Sequence, residues 1–237
     1  MKSQASRPVS TDLDQRLRAY TIAAGAAGIS LIALASPVTA QIVYTPVHET
    51  LANGTLSIDL NNDGVVDFQL VDKGYYNTVN CNFCEQNLSV TGFGNVGAGV
   101  LGHLADAAAL KPGAMIGPHG VFVNVQSAAG FMAGALNDSG SFLDIGGAFA
   151  NQKDRFLGLR FEISGQTHYG WIRFAQVTAK FDNNPQVAAL ITGYAYESTP
   201  NEPILAGATS GAVKAEGSSG SLGVLALGVA GLDLRQK

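Results

Sequence analysis

From Gln41 onward several stretches alternate apolar and polar residues at every second position, which predicts strands. Ile42 to Tyr44, Thr55 to Ile58 and Val66 to Val71 form the first set, separated by Asn53-Gly54 and by the acidic run Asp59 to Asp67. The clearest signal is Phe156 to Phe174, where Leu157, Leu159, Phe161 and Ile163 alternate with Gly158, Arg160 and Glu162. Gly165-Gln166 then turns the chain into Tyr169, Trp171 and Ile172. That pattern predicts an antiparallel hairpin with a type II′ turn, one buried face, and Arg160 and Glu162 directed to solvent. A further strand is expected from Val187 to Tyr196, closed off by Pro200 and Pro203. Between Gly92 and Gly147 the period is poor, and Leu101 to Leu110 reads as one short helix stopped by Pro112 and Gly113. The expected fold is mainly β: a single antiparallel β-sandwich of jelly-roll-like type with short helices.

Both ends of the chain break this pattern. Residues 1–40 carry a basic start, an apolar run from Tyr20 to Ala35, and Ser-Pro-Val-Thr-Ala, in which Val38 and Ala40 satisfy the small-residue cleavage rule. A signal peptide ending before Gln41 is the expectation, with an uncleaved membrane anchor as the competing reading. The run is short against the roughly 20 residues that span a bilayer. Residues 41–207 are the expected β-domain. Residues 208–220 are dominated by Gly, Ser, Ala and Thr and read as a linker. Residues 221–237 turn apolar again before Arg235 and Lys237, as in a sorting signal or transient membrane anchor through residues 222–234; a terminal core strand or helix is the alternative.

Composition narrows the function. Charged residues make up only 14% of the chain, which leaves ample apolar material for a core. The net charge is −4, and removal of residues 1–40 would leave ten basic and sixteen acidic residues, or −6. A chain of that sign makes a poor partner for nucleic acid.

The run Ile58 to Phe68 holds the best candidate chemistry. Asp59, Asn61 and Asp63 occupy loop positions one, three and five, Gly64 the sharp turn at six, and Asp67 position nine. This is the oxygen-ligand spacing of a calcium loop, with the Val65 carbonyl as the backbone ligand. Leu70 stands where an EF-hand requires a bidentate Glu, and strands flank the loop, so it is not an EF-hand. The alternative is a bare tight turn, which Asn, Asp and Gly build without a metal. Four acids between residues 59 and 72 of a charge-poor protein favour the cation, since carboxylates so close repel unless neutralised.

Cys81 and Cys84 are the only cysteines, and in an exported protein a local disulfide is the expectation. Glu85 follows where haem attachment requires His, no second pair completes a zinc site, and no helical period supports a redox motif. His103 and His119 read as ordinary surface or hydrogen-bonded histidines. Tyr169, Trp171, Tyr194 and Tyr196 form an aromatic row that could stack on sugars, although a core role is the commoner use. No Gly-x-Ser-x-Gly elbow and no His-Glu-x-x-His pair occurs, so no catalytic residues are expected.

Several segments together resemble a family of exported bacterial proteins that end in a PEP-CTERM-type sorting tail. They are Gln41-Ile-Val-Tyr-Thr-Pro, Asp59 to Phe68, Ala114-Met-Ile-Gly-Pro118, Phe156-Leu-Gly-Leu-Arg-Phe161, Tyr169-Gly-Trp-Ile-Arg173 and Ile191-Thr-Gly-Tyr-Ala-Tyr-Glu197. The tail Ser221 to Gly231 matches the family's hydrophobic segment. It departs in Ala215-Glu216-Gly217, where Pro-Glu-Pro would stand, and in keeping only Arg235 and Lys237 of the basic cluster. The resemblance implies export, a β-sandwich body, a sorting transpeptidase acting on the tail, and attachment to the surface or an extracellular polysaccharide matrix. It implies no enzymatic activity. The functions in view are a non-catalytic surface or matrix protein with a structural calcium ion, a carbohydrate-binding module, and a secreted hydrolase of unrecognised type.

Overall fold

Apolar alternation is converted almost entirely into hydrogen-bonded strands in the computed structural model of the chain, which describes residues 41–77, 83–94, 97–126, 129–138, 142–182 and 184–210. In chain order the strands are β1 (Ile42–Leu51), β2 (Gly54–Ile58), β3 (Phe68–Asn77), β4 (Phe83–Gly92), β5 (Gly99–His103), β6 (Asp106–Ala107), β7 (Ala109–Leu110) and β8 (Met115–Ile116). They continue with β9 (Phe122–Asn124), β10 (Gly130–Asp138), β11 (Phe142–Gly146), β12 (Lys153–Ile163), β13 (Gln166–Asp182), β14 (Asn184–Glu197) and β15 (Ile204–Leu205). No helix occurs among the described residues. The helix expected over Leu101 to Leu110 is instead β5, a turn and the short strands β6 and β7. Its alanines are spent on edges that pair with β10 and β12, where small side chains allow the ladders to come together.

The main sheet runs β1-β14-β13-β12-β5-β6-β10-β4-β3-β2, with β11 on β10, β7 on β12 and β9 on β5. Its first and last members, β1 and β2, are consecutive in sequence and joined through Ala52 and Asn53, so the sheet is nearly closed. Closure of this kind leaves few exposed edges. Nearly every neighbouring pair is antiparallel, and the long ladders β12–β13, β13–β14 and β3–β4 fix the register. The predicted hairpin is β12–β13, but its loop is Ser164-Gly165, with φ of 52° and 75° and Ile163 opposite Gln166. Two positive values define a type I′ turn, one residue earlier than expected.

Two apolar clusters lie on opposite faces of the β12–β13–β14 ribbon. The larger gathers Phe68, Leu70, Leu88, Met132, Leu157, Leu159, Phe161, Ile172, Phe174 and Ile191 from strands that face each other across the interior, where β4 and β10 approach β14. The smaller, on the ribbon's outer face, holds Ile42, Leu101, Ile116, Phe156, Tyr169, Trp171, Ala195, Ile204 and Ala206. It is covered by the β8–β15 pair and by the chain running through Ala208, whose carbonyl accepts the Trp171 indole N–H at 3.2 Å. The described fold therefore includes residues 208–210 of the expected linker.

Double coverage explains why the hairpin is not one-faced. Arg160 is half-buried, donating through Nε to the Gly97 carbonyl at 3.3 Å with its guanidinium 5.0 Å from the Phe122 ring centre. Close approach is also built in at Gly193, where a Cβ would stand 2.8 Å from the Tyr44 ring.

Phe161 is fully buried and makes edge contacts with Phe68 and Tyr196, with centroids 6.4 and 5.6 Å away. Phe161→Ala should cost about 3–5 kcal/mol in urea unfolding, since it removes the bridge between opposed strands and leaves a cavity. Leu143→Ala, on an exposed side chain of β11, should change stability by less than about 0.5 kcal/mol in the same assay.

Candidate functional site

The acidic run connects β2 to β3, whose register from Gly54↔Asp72 to Ile58↔Phe68 leaves residues 59–67 as the loop. Gly64, at φ 87°, supplies the left-handed turn that its position requires, and Asn62 adopts φ 57°. Asp59 accepts from the Asp63 N–H at 3.3 Å and the Gly64 N–H at 2.8 Å. Asn61 accepts from the Asp63 N–H at 3.2 Å and donates through Nδ2 to Asp63 at 2.9 Å. Asp63 accepts from the Val65 N–H at 2.8 Å, while the Val65 side chain is exposed. Asp67 is buried beneath them, its carboxylate accepting the Leu60 N–H at 2.8 Å and its backbone bonded to Ile58 and Phe93.

All five predicted ligand residues are thus on one loop. Asp59, Asn61 and Asp63 are drawn over the same three N–H groups, those of residues 63–65. In this arrangement the carboxylates serve the loop's own backbone, and among the described residues no three His, Cys, Asp or Glu side chains are grouped to hold a metal. The donor set, all oxygen, is nevertheless the chemistry a hard cation such as calcium takes. Carboxylate oxygens that accept one N–H retain a further lone pair for a cation.

The loop's charge is felt below it. Tyr194 and Tyr196 both have hydroxyl pKa values pushed above the usual 10, first by burial. The Asp59 charge adds to the shift at Tyr194, and those of Asp67 and Asp63 add to it at Tyr196; a hydrogen bond with Thr45 opposes it at Tyr194. The rings of the aromatic row are largely covered. Tyr169, Trp171, Tyr194 and Tyr196 are 4%, 1%, 9% and 9% exposed, because the outer-face cluster and the interior claim them. Trp171 reaches a surface cleft of about 390 Å³ with Tyr44, Phe156 and the Arg173–Asp154 ion pair, but its only donor is already taken by Ala208.

Cys84 is buried on β4 and disulfide-bonded; Cys81 lies outside the described residues. His103 and His119 are exposed. The signal segment, residues 1–40, and the tail from residue 211 onward also lie outside the described residues. No helix among the described residues is long and apolar enough to cross a membrane.

Sequence reasoning did not single out the interior role of four buried polar side chains, Asp72, Gln86, His168 and Glu197. Asp72 on β3 accepts from the Asn53 N–H at 2.7 Å and from Gln86 Nε2 at 2.6 Å, and Gln86 also donates to Asn53 Oδ1 at 2.9 Å. This triad ties the β1–β2 corner to β3 and β4. His168 Nδ1 lies 2.8 Å from the Glu197 carbonyl, so that nitrogen carries the proton. The Glu197 side chain is fully buried at the end of β14. The alternation at Gln86 was legible, since it falls in phase with Leu88 and Val90, yet nothing local marks a polar residue as an inward one.

Compared with known families, with characterised proteins and with solved structures, the chain shows no match to any.

Asp72→Ala should cost about 2–3 kcal/mol in urea unfolding, because it strands a backbone N–H and an amide N–H in the interior. The tyrosines set an alkaline limit. Their folded pKa values lie above the unfolded ones, so their contribution to stability is complete below about pH 10 and lost as pH rises through the folded values. Melting temperature should stay level between about pH 7 and 9 and fall above about 10, with phenolate absorbance rising only as the fold melts.

Proposed function

We propose that the chain is a non-catalytic exported protein of the bacterial surface or extracellular matrix, a jelly-roll-like β-sandwich whose β2–β3 loop is steadied by a calcium ion. The observation that carries the metal is the loop's concentration of negative charge. Asp59, Asn61 and Asp63 crowd one turn above the buried Asp67, and neither Asp59 nor Asp63 pairs with a lysine or arginine among the described residues. A divalent cation removes the mutual repulsion and relieves the field on Tyr194 and Tyr196. Calcium would be held by Asp59, Asn61, Asp63 and Asp67 with the Val65 carbonyl, and it would supply rigidity rather than reaction chemistry. Opposition of β4 and β10 to β14 across one interior supports the sandwich reading.

Export rests on the sequence of residues 1–40, and a sorting transpeptidase acting on residues 221–237 rests on the PEP-CTERM-type tail. Attachment to a polysaccharide matrix follows from the same resemblance. The sequence holds no Gly-x-Ser-x-Gly elbow and no His-Glu-x-x-His pair, so a hydrolase draws no support from its motifs.

At calcium a hundredfold above its dissociation constant, mass action adds roughly 2.7 kcal/mol of stability. Titration calorimetry of the mature chain should show calcium binding that Asp63→Ala abolishes, and chelator should lower the melting temperature of the parent alone. Equal melting curves with and without chelator would sink the metal, and recovery of the protein solely from cytoplasm would sink the export.

A further inference from the structure

The end of β14 and the start of β1 meet at an unusual carboxylate. Ile42 lies opposite Glu197, and the Ser198 N–H donates to the Gln41 carbonyl at 2.9 Å, so the first residue of the body is clamped in place. The Glu197 side chain, 0% exposed, accepts through Oε1 from the Gln41 N–H at 2.8 Å and from the Thr199 N–H at 2.9 Å. Its other oxygen, Oε2, is buried with no hydrogen-bond partner, and so is the hydroxyl of Thr199. The ion pairs of the described residues, Arg173 with Asp154 and Lys180 with Asp182, lie elsewhere.

A buried carboxylate with one oxygen unpaired and no counter-charge is costly and calls for a cation. The group already bonded to it is the nitrogen of Gln41, the residue that follows the small-residue motif ending in Ala40. We propose that Gln41 is the mature N-terminus, and that its α-ammonium, created by leader cleavage, latches into Glu197 as the missing counter-ion. This rests on the reading of residues 1–40 as a cleaved signal. A leader peptidase breaks the Ala40–Gln41 C–N bond with one water: the oxygen goes to the Ala40 carbonyl carbon and both protons to the Gln41 nitrogen, leaving a carboxylate and an ammonium. An amide nitrogen offers Glu197 one N–H; the ammonium offers three and a full positive charge, enough for Oε2 as well as Oε1. Cleavage thereby completes the pairing of β1 with β14 and seals the two ends of the body together.

The test uses the chain secreted through its own signal. Intact mass should place its start at Gln41. A Gly-Ser dipeptide inserted between Ala40 and Gln41 moves the amine two residues away while keeping the Gln41 N–H. That insertion should lower the melting temperature by about 5 °C or more in the parent and by less than about 1 °C in an E197Q background. Should E197Q fail to fold, acylation of the folded parent at neutral pH gives a second readout. The Gln41 amine should react at least about tenfold more slowly than the amine of the insertion variant, as expected for an amine held against a buried carboxylate. A start elsewhere than Gln41 overturns the cleavage point and the latch with it. A start at Gln41 with equal melting losses in both backgrounds, or with an amine as reactive as the inserted one, overturns the latch alone. A mass lower by one ammonia, showing Gln41 cyclised to pyroglutamate, also overturns it.

Discussion

Burial of the β12–β13–β14 ribbon on both faces is the constraint on which the rest of this structure depends. One face meets β4 and β10 across the main interior, and the other is capped by the β8–β15 pair and the chain through Ala208. A strand covered on both sides cannot follow a simple inward and outward alternation. Near its covered end the ribbon must be apolar or tightly bonded at every position, which is what Gly193 to Glu197 shows. The same constraint places Trp171 and Tyr169 under a lid, draws Arg160 against Phe122, and brings the start of β1 against the end of β14.

This constraint also separates what the sequence made legible from what it did not. Hairpins β2–β3 and β12–β13 and the strand β14 were readable, because period-two alternation and turn residues are local signals. So was the loop 59–67, whose residues sit together by virtue of adjacency alone. The outer cluster was not readable: its members come from residues 42, 101, 116, 156, 171 and 204, and only the completed fold joins them. Hence the aromatic row of Tyr169, Trp171, Tyr194 and Tyr196 left a stacking platform open beside the commoner core role. The short helix was lost for the opposite reason. Leu101 to Leu110 has the alanine content of a helix, but edge pairing with β10 and β12 satisfies its backbone instead, and tertiary context overrides a weak propensity.

Polar groups in the interior do the specifying that apolar packing leaves loose. Asp72 with Gln86 and Asn53 fixes the corner at which the ladder nearly meets itself, and Glu197 fixes the opposite seam. Each accepts a backbone N–H from a distant part of the chain, Asn53 for Asp72 and Gln41 for Glu197, so a slip of one residue in β3 or β14 would break that bond in the interior. The acidic loop shares its field with two buried tyrosines. Whatever neutralises the loop therefore acts on the interior and on the turn together.

The pairing of β1 with β14 has a kinetic consequence. Residues opposite each other in that ladder are more than a hundred positions apart, so the first strand synthesised finds its partner only when nearly the whole body exists. Contacts that distant are slow to form, because the intervening chain must be ordered first. A polypeptide of this design leaves the earliest strand of its β-body unpaired until the latest one has been made.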